Sequence, residues 1–344
     1  MLLAAAQSGG PAPYKDSRGR TLEYNGPGRE EPEPGGLEEI RIGYYGPDDP
    51  GHPSGGTLWA GARLAVEEAN RDGGFKGLPF RLVPRWTDDP WRTGASAVVK
   101  MAYADRVWAI IGGIDGATTH LAEQVVVKAR LTLVDPASTD QTVNYASVPW
   151  MFSCLPSGAA YADAMAAEVR GKSFALFSAT DHDSRALAAE LLTILRRDGS
   201  IPKRRIEFQP GARDAARMAE ETVEATAVLV AGAADMAALA RQLRSRLPRI
   251  ALLAGPEAGR AVFREQAGAA AEGVRYPTAG GPERADFPDY TAQSAYDATR
   301  TVIAAIRAAG LNRVRIRDVI AALPRWDSSG RDTRPVRMIA IQRH

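Results

Sequence analysis

A single cysteine, Cys154, among 344 residues excludes an internal disulfide and any cysteine-cluster metal site. The four histidines, His52, His120, His182 and His344, have no metal-ligand spacing, so no metal is expected. A P-loop and a Gly-x-Gly-x-x-Gly fingerprint are both missing, and no cofactor is expected. There is no Gly-x-Ser-x-Gly elbow either. Ser138, His182 and Asp183 could be imagined as a triad, but the expectation is a protein that is not an enzyme. No apolar run reaches the ~18–20 residues of a membrane helix, so no direct membrane insertion is expected. Charge of one sign is also lacking. A net +2 argues against a dedicated nucleic-acid partner.

What is present is enough apolar residue, 45% of the chain, to bury two cores of ordinary domain size. Residues 1–6 (MLLAAA) look like the tail of a secretory h-region without its charged start, as in a shortened signal peptide. No cysteine follows, which removes lipid anchoring there. Residues 7–39, rich in Gly, Pro and charge, read as an extended or disordered arm.

The organising stretch is 111–140. Residues 104–112 (ADRVWAIIG) form an apolar run that stops at Gly112-Gly113, as a buried parallel strand does. A short turn follows, then a helical pattern over 120–130, then a second apolar run at 131–134 ending in Pro136-Ala137-Ser138-Thr139. The turns 113–119 and 135–139 thus lie at the carboxyl ends of parallel strands, where an open α/β sheet binds ligands. Hydroxyls and free N–H groups beside helix starts favour an anion such as a carboxylate. The same grammar fills the chain. Strands are expected near 39–45, 79–85, 173–178, 205–208, 227–231, 250–253, 273–277 and 336–342. Helices are expected near 58–70, 91–103, 161–170, 185–197, 214–222, 236–246 and 302–309. Two α/β units of similar size imply two lobes.

Residues 54–83 (SGGTLWAGARLAVEEANRDGGFKGLPFRLV) resemble the opening of the type I periplasmic solute-binding proteins. The resemblance is to the branched-chain amino acid (leucine/isoleucine/valine) group serving ABC importers. It is carried by Gly61-Ala62, Ala65-Val66-Glu67-Glu68-x-Asn70 and Gly73-Gly74, and then, in order, by VWAIIGG, VDPASTD, GPE with AGAAAEGV, and AYDATRTVIAAIRAAG. It implies two flavodoxin-like lobes with parallel sheets, joined by three hinge crossovers that close on a ligand. Lobe one would be 40–155 plus 278–325, and lobe two 156–277 plus 326–344. It further implies a periplasmic protein, a small-molecule ligand such as an amino acid, and a membrane permease as partner. The same fold used as a sensor with a signalling partner is the alternative.

By that resemblance the ligand carboxylate is held by Gly116-Ala117-Thr118 and Ala137-Ser138-Thr139, and its ammonium by Glu257. Thr118 and Thr139 could instead cap helices, and Glu257 could be a helix-start residue. The family's serine in the first turn falls on Gly116, and its aromatic-Gly turn in lobe two falls near His182-Asp183-Ser184. His182 and Asp183, with Asp115, are therefore expected near the variable end of a polar or differently shaped carboxylate ligand. Tyr45, Trp59 and Trp86 read as core aromatics or cleft walls.

Overall fold

Alternating apolar runs and helical segments build two sheets in the computed structural model, which describes residues 23–342 apart from 88, 147, 213–225 and 282–283. The first sheet comprises β1 (Ile40–Tyr45), β2 (Phe80–Pro84), β3 (Ile110–Gly112), β4 (Leu133–Asp135) and β5 (Met151–Ser153). Its order is β2-β1-β3-β4-β5, with every pairing parallel. The second comprises β6 (Ala175–Ala179), β7 (Arg204–Phe208), β8 (Thr226–Val230), β9 (Ala251–Ala254), β10 (Arg275–Thr278) and β11 (Arg337–Ala340). Its order is β7-β6-β8-β9-β10-β11, and only β11 runs antiparallel. The first five strands of each sheet share the flavodoxin-like order 2-1-3-4-5.

The helices are α1 (Gly56–Arg71), α2 (Pro90–Tyr103), α3 (Gly116–Ala129), α4 (Gly158–Val169), α5 (His182–Arg197), α6 (Ala233–Arg246), α7 (Ala261–Ala267), α8 (Tyr290–Ala309) and α9 (Arg313–Ala321). They cover both faces of each sheet, and the period of two along the strands divides the cores. In β1, Ile40, Ile42 and Tyr44 face α1, α8 and α9, while Tyr45 joins Ile110 and Leu133 against α2 and α3. In β6, Ala175, Phe177 and Ala179 face α6 and α7, while Leu176 joins the α4 and α5 side. Tyr45 packs on Trp86 and Tyr44 on Trp59, with ring centroids 5.6 and 5.0 Å apart.

The chain passes between the sheets three times: after β5, after β10 and before β11. Leu155, Ala279 and Arg334, one from each passage, line the same small cavity. The Arg334 Nη2 donates to the Cys154 carbonyl at 2.7 Å, tying the first passage to the third.

Several elements differ from the sequence expectation. The run 104–112 is not one strand. Ala104 N and Asp105 N both donate to Lys100 O at 2.9 Å, satisfying an end carbonyl of α2, and only Ile110–Gly112 pairs. The helices α3 and α5 begin earlier, at Gly116 and His182, so residues read as turns form first helical turns. The short β5, α7 and α9 were not anticipated, and the helix expected near 214–222 lies outside the described residues. Residues 326–334, expected with lobe two, hydrogen-bond to the first sheet: Asp332 N donates to Ser153 O at 3.0 Å and Ser153 N to Gly330 O at 2.8 Å.

From Glu23 the arm is irregular but packed, not disordered. Tyr24 is buried against Trp150 with ring centroids 4.8 Å apart. Asn312 ties the arm to α9. Its Oδ1 accepts from Arg315 N at 2.9 Å as the helix cap, and its Nδ2 donates to Gly28 O and Glu31 O at 2.7 and 3.0 Å. Asn312→Ala should cost about 1–2 kcal/mol in urea unfolding through loss of the cap. Asn312→Asp keeps the cap acceptor but sets a carboxylate oxygen against the Gly28 and Glu31 carbonyls, so it should cost at least as much. Both variants should admit protease cleavage within 23–39, because neither retains the amide donor that holds the arm.

Candidate ligand site

The carboxyl ends of the two sheets face each other and enclose a cavity of about 270 Å³, near the lower end of the ~300–1,000 Å³ of small-molecule sites. The first sheet contributes Ser54, Ile114, Asp115, Ala137 and Thr139 from the loops after β1, β3 and β4. The second contributes Asp181, Asp183, Ser184 and Leu187 after β6, Pro210 after β7, Gly232 and Asp235 after β8, and Gly255, Glu257 and Arg260 after β9.

One local rule shapes these loops. An aspartate three residues ahead of a serine or threonine takes that residue's N–H, as in caps and Asx turns. Asp115 Oδ1 accepts from Thr118 N at 2.8 Å and from the Thr118 hydroxyl at 2.6 Å. Asp135 Oδ1 accepts from Ala137 N at 2.8 Å and Ser138 N at 3.0 Å, and its Oδ2 accepts from the Ser153 hydroxyl at 3.1 Å. Asp181 Oδ1 accepts from Ser184 N at 3.0 Å. The Thr118 hydroxyl also accepts from Ile114 N at 3.0 Å, and the Ser138 hydroxyl accepts from Asp140 N at 3.1 Å.

Many donors expected to face a ligand are thus already engaged within the fold. Thr118 and Ser138 are buried, and neither lines the cavity. Ala117 and His182 do not line it either. Gly116 reaches it only through Asp183: Gly116 N lies 3.0 and 3.1 Å from the two Asp183 carboxyl oxygens, across the cleft. Four of the nine expected residues line the cavity, namely Ala137, Thr139, Asp183 and Glu257. The Thr139 N–H and hydroxyl have no hydrogen-bond partner among the described residues. Tyr45, Trp59 and Trp86 are packing aromatics and do not line it.

Glu257, on the short turn Pro256–Gly259, is preoriented. Its Oε1 accepts from the Tyr290 hydroxyl and its Oε2 from Arg260 Nη1, both at 3.1 Å. Arg260 is buried and also donates to the Ser54 carbonyl across the cleft. Burial holds the Tyr290 hydroxyl protonated as a donor. Charge on the cavity wall is lopsided. Among the described residues, Asp115, Asp181, Asp183, Asp235 and Glu257 face a single guanidinium, Arg260, which is itself paired. Burial, reinforced by the neighbouring Asp115, pushes the Asp183 carboxyl up to about 8 against the pull of the Gly116 N–H. Asp181, Asp235 and Arg260 were missed from sequence. The Asp-x-x-Ser spacing after β6, and the i,i+3 placement of Glu257 and Arg260 after β9, were the available signals.

Residues 39–286 match the family model described as periplasmic binding protein. The chain belongs to that family, whose members are binding proteins, and it has a solute-binding role outside the cytoplasm. Among the described residues no helix is long and apolar enough to cross a membrane. The substrate-binding protein LivJ of Streptococcus pneumoniae, a branched-chain amino acid transporter component solved with isoleucine, superposes with TM-score 0.77 at 18% identity over 88% of this chain and 96% of that one. The leucine binding protein LivK of Thermotoga maritima gives TM-score 0.77 at 21% identity over 88% and 95%. An amino acid binding protein of Pseudomonas aeruginosa is 29% identical over 119 residues, 34% of this chain. The match spans 31% of that relative's length.

Asp135, fully buried beneath the second turn, links this site to pH. Burial pushes its carboxyl up to about 6, although the N–H groups of Ser138 and Ala137 and the charge of Arg331 pull it down. The folded value lies above the ordinary ~3.9, so the unfolded chain releases its proton first. The stability tied to this group is therefore complete below about pH 4 and is lost as pH rises through about 6. Asp135→Asn should gain ~3 kcal/mol relative to the parent between about pH 4 and pH 7 in urea unfolding. Superimposable pH profiles would show that the carboxyl ionises without penalty.

Proposed function

We propose that this protein is the solute-capturing subunit of an ABC importer, taking an amino acid or related small ligand that carries both an amino group and a carboxylate. The observation behind this is the excess of carboxylates over guanidinium among the described residues of the cavity wall, which calls for positive charge on the occupant. Glu257, held by Tyr290 and Arg260, receives the ammonium, with Asp115 on the opposite lobe. The unpartnered N–H and hydroxyl of Thr139 receive the carboxylate, beside Ala137. Charge-assisted hydrogen bonds contribute about 1.5–3 kcal/mol each. Three or four of them support a micromolar complex, about −8 kcal/mol, after the cost of association. Closure of the two lobes around the ligand then presents the loaded form to a membrane permease.

Calorimetric titration with a panel of amino acids, paired with their hydroxy- and des-amino analogues, tests this. The parent should bind amino compounds and lose roughly tenfold or more in affinity when the amine is removed. Glu257→Gln should weaken binding of the amino compound but not of its des-amino analogue, and Thr139→Val should weaken both. A des-amino acid bound as tightly as its parent would overturn the assignment.

A further inference from the structure

Outside the cavity wall, at the rim of the cleft, three side chains from separate elements converge. His120 lies on α3, Asp140 lies in the loop after β4, and His182 opens α5 on the other lobe. His182 Nε2 lies 2.6 Å and His120 Nε2 lies 3.2 Å from the same oxygen, Asp140 Oδ2. The geometry points to a divalent transition-metal site of the zinc class, bridging the two lobes through His120 Nε2, Asp140 Oδ2 and His182 Nε2.

Four features support it. The three donor atoms lie within 4.8 Å of one another. Zinc–ligand bonds of ~2.0–2.1 Å in a tetrahedron put donors ~3.3 Å apart, close to the 3.2 Å seen for His120 and reached for His182 by a small rotation of an exposed side chain. The supporting contacts are those a metal ligand set needs. Asp140 Oδ1 is engaged by the Thr142 N–H and hydroxyl, both at 2.8 Å, which leaves Oδ2 to face the imidazoles. His120 Nδ1 faces the Glu123 carboxylate at 3.4 Å, and its Nε2, 2.9 Å from the Thr142 hydroxyl, is turned toward the site. Two imidazoles and one carboxylate, with a fourth position open to water, are a donor set suited to zinc. Sequence spacing could not disclose it, because its members are 20 and 42 residues apart.

None of the three lines the cavity, so zinc binding can be tested with no amino acid present. The test is titration of the full chain with zinc chloride, by calorimetry and by small-angle scattering, with circular dichroism confirming that each variant is folded. One equivalent should bind with micromolar affinity and reduce the radius of gyration. His120→Ala and His182→Ala should each weaken binding by roughly a hundredfold, and Glu123→Gln by roughly tenfold. His182→Ala, which removes the one ligand from the second lobe, should also abolish the contraction. A parent protein that takes no zinc, or zinc binding of unchanged strength in both histidine variants, overturns the proposal. So does a contraction that persists in His182→Ala.

Discussion

Parallel strands all end on the same edge of their sheet, and here two such edges are turned toward each other. The loops after β1, β3, β4, β6, β7, β8 and β9 then enter one shared space, and α3 and α5 point their amino termini there. Ten strands of the two sheets run in that parallel sense, with β11 the exception. The concentration of aspartates around the cavity follows from this. Helix starts want acidic caps, and Asp115 and Asp181 cap α3 and α5. The site is rich in carboxylates partly because the helices demanded them.

That dual use explains what could be read from the sequence. The apolar runs and their Gly and Pro terminators disclosed most of the strands and the two-lobe plan, since each run must be buried on two faces, while the flavodoxin-like arrangement came only with the family resemblance. They could not disclose β5, three residues long, or α7, too short to show a periodicity. At the site, the loops were legible but the direction of their donors was not. Thr118 and Ser138 carry hydroxyls at the expected places, yet an aspartate three residues upstream captures each backbone amide. Local capture wins because it needs no long-range closure. Thr139, one residue past the reach of Asp135, kept its donors.

Position 116 shows how two departures from the family pattern are one event. The resemblance places a serine where Gly116 stands, and a different turn where Asp183 stands. A Cβ at 116 would approach the Asp183 Oδ1 to 2.4 Å and the Asp140 Cβ to 2.7 Å. A side chain at 116 and the observed seat of Asp183 exclude each other. With glycine there, the amide end of α3 accepts a carboxyl from the opposite lobe. Buried among Asp115, Asp140 and Glu257, that carboxyl has an affinity for its proton well above the usual range. The cleft is therefore suited to an occupant that brings positive charge.

The three passages between the lobes meet at one small cavity, with Arg334 bonded to the Cys154 carbonyl between two of them. Backbone pinned at three neighbouring points resists torsion and sliding, so relative displacement of the halves reduces to a single opening angle. Any two agents that grip both halves, wherever along the mouth they sit, act on that one coordinate. Thermodynamic linkage then makes their coupling reciprocal, and two that favour the same angle tighten each other with no chain of contacts running between them.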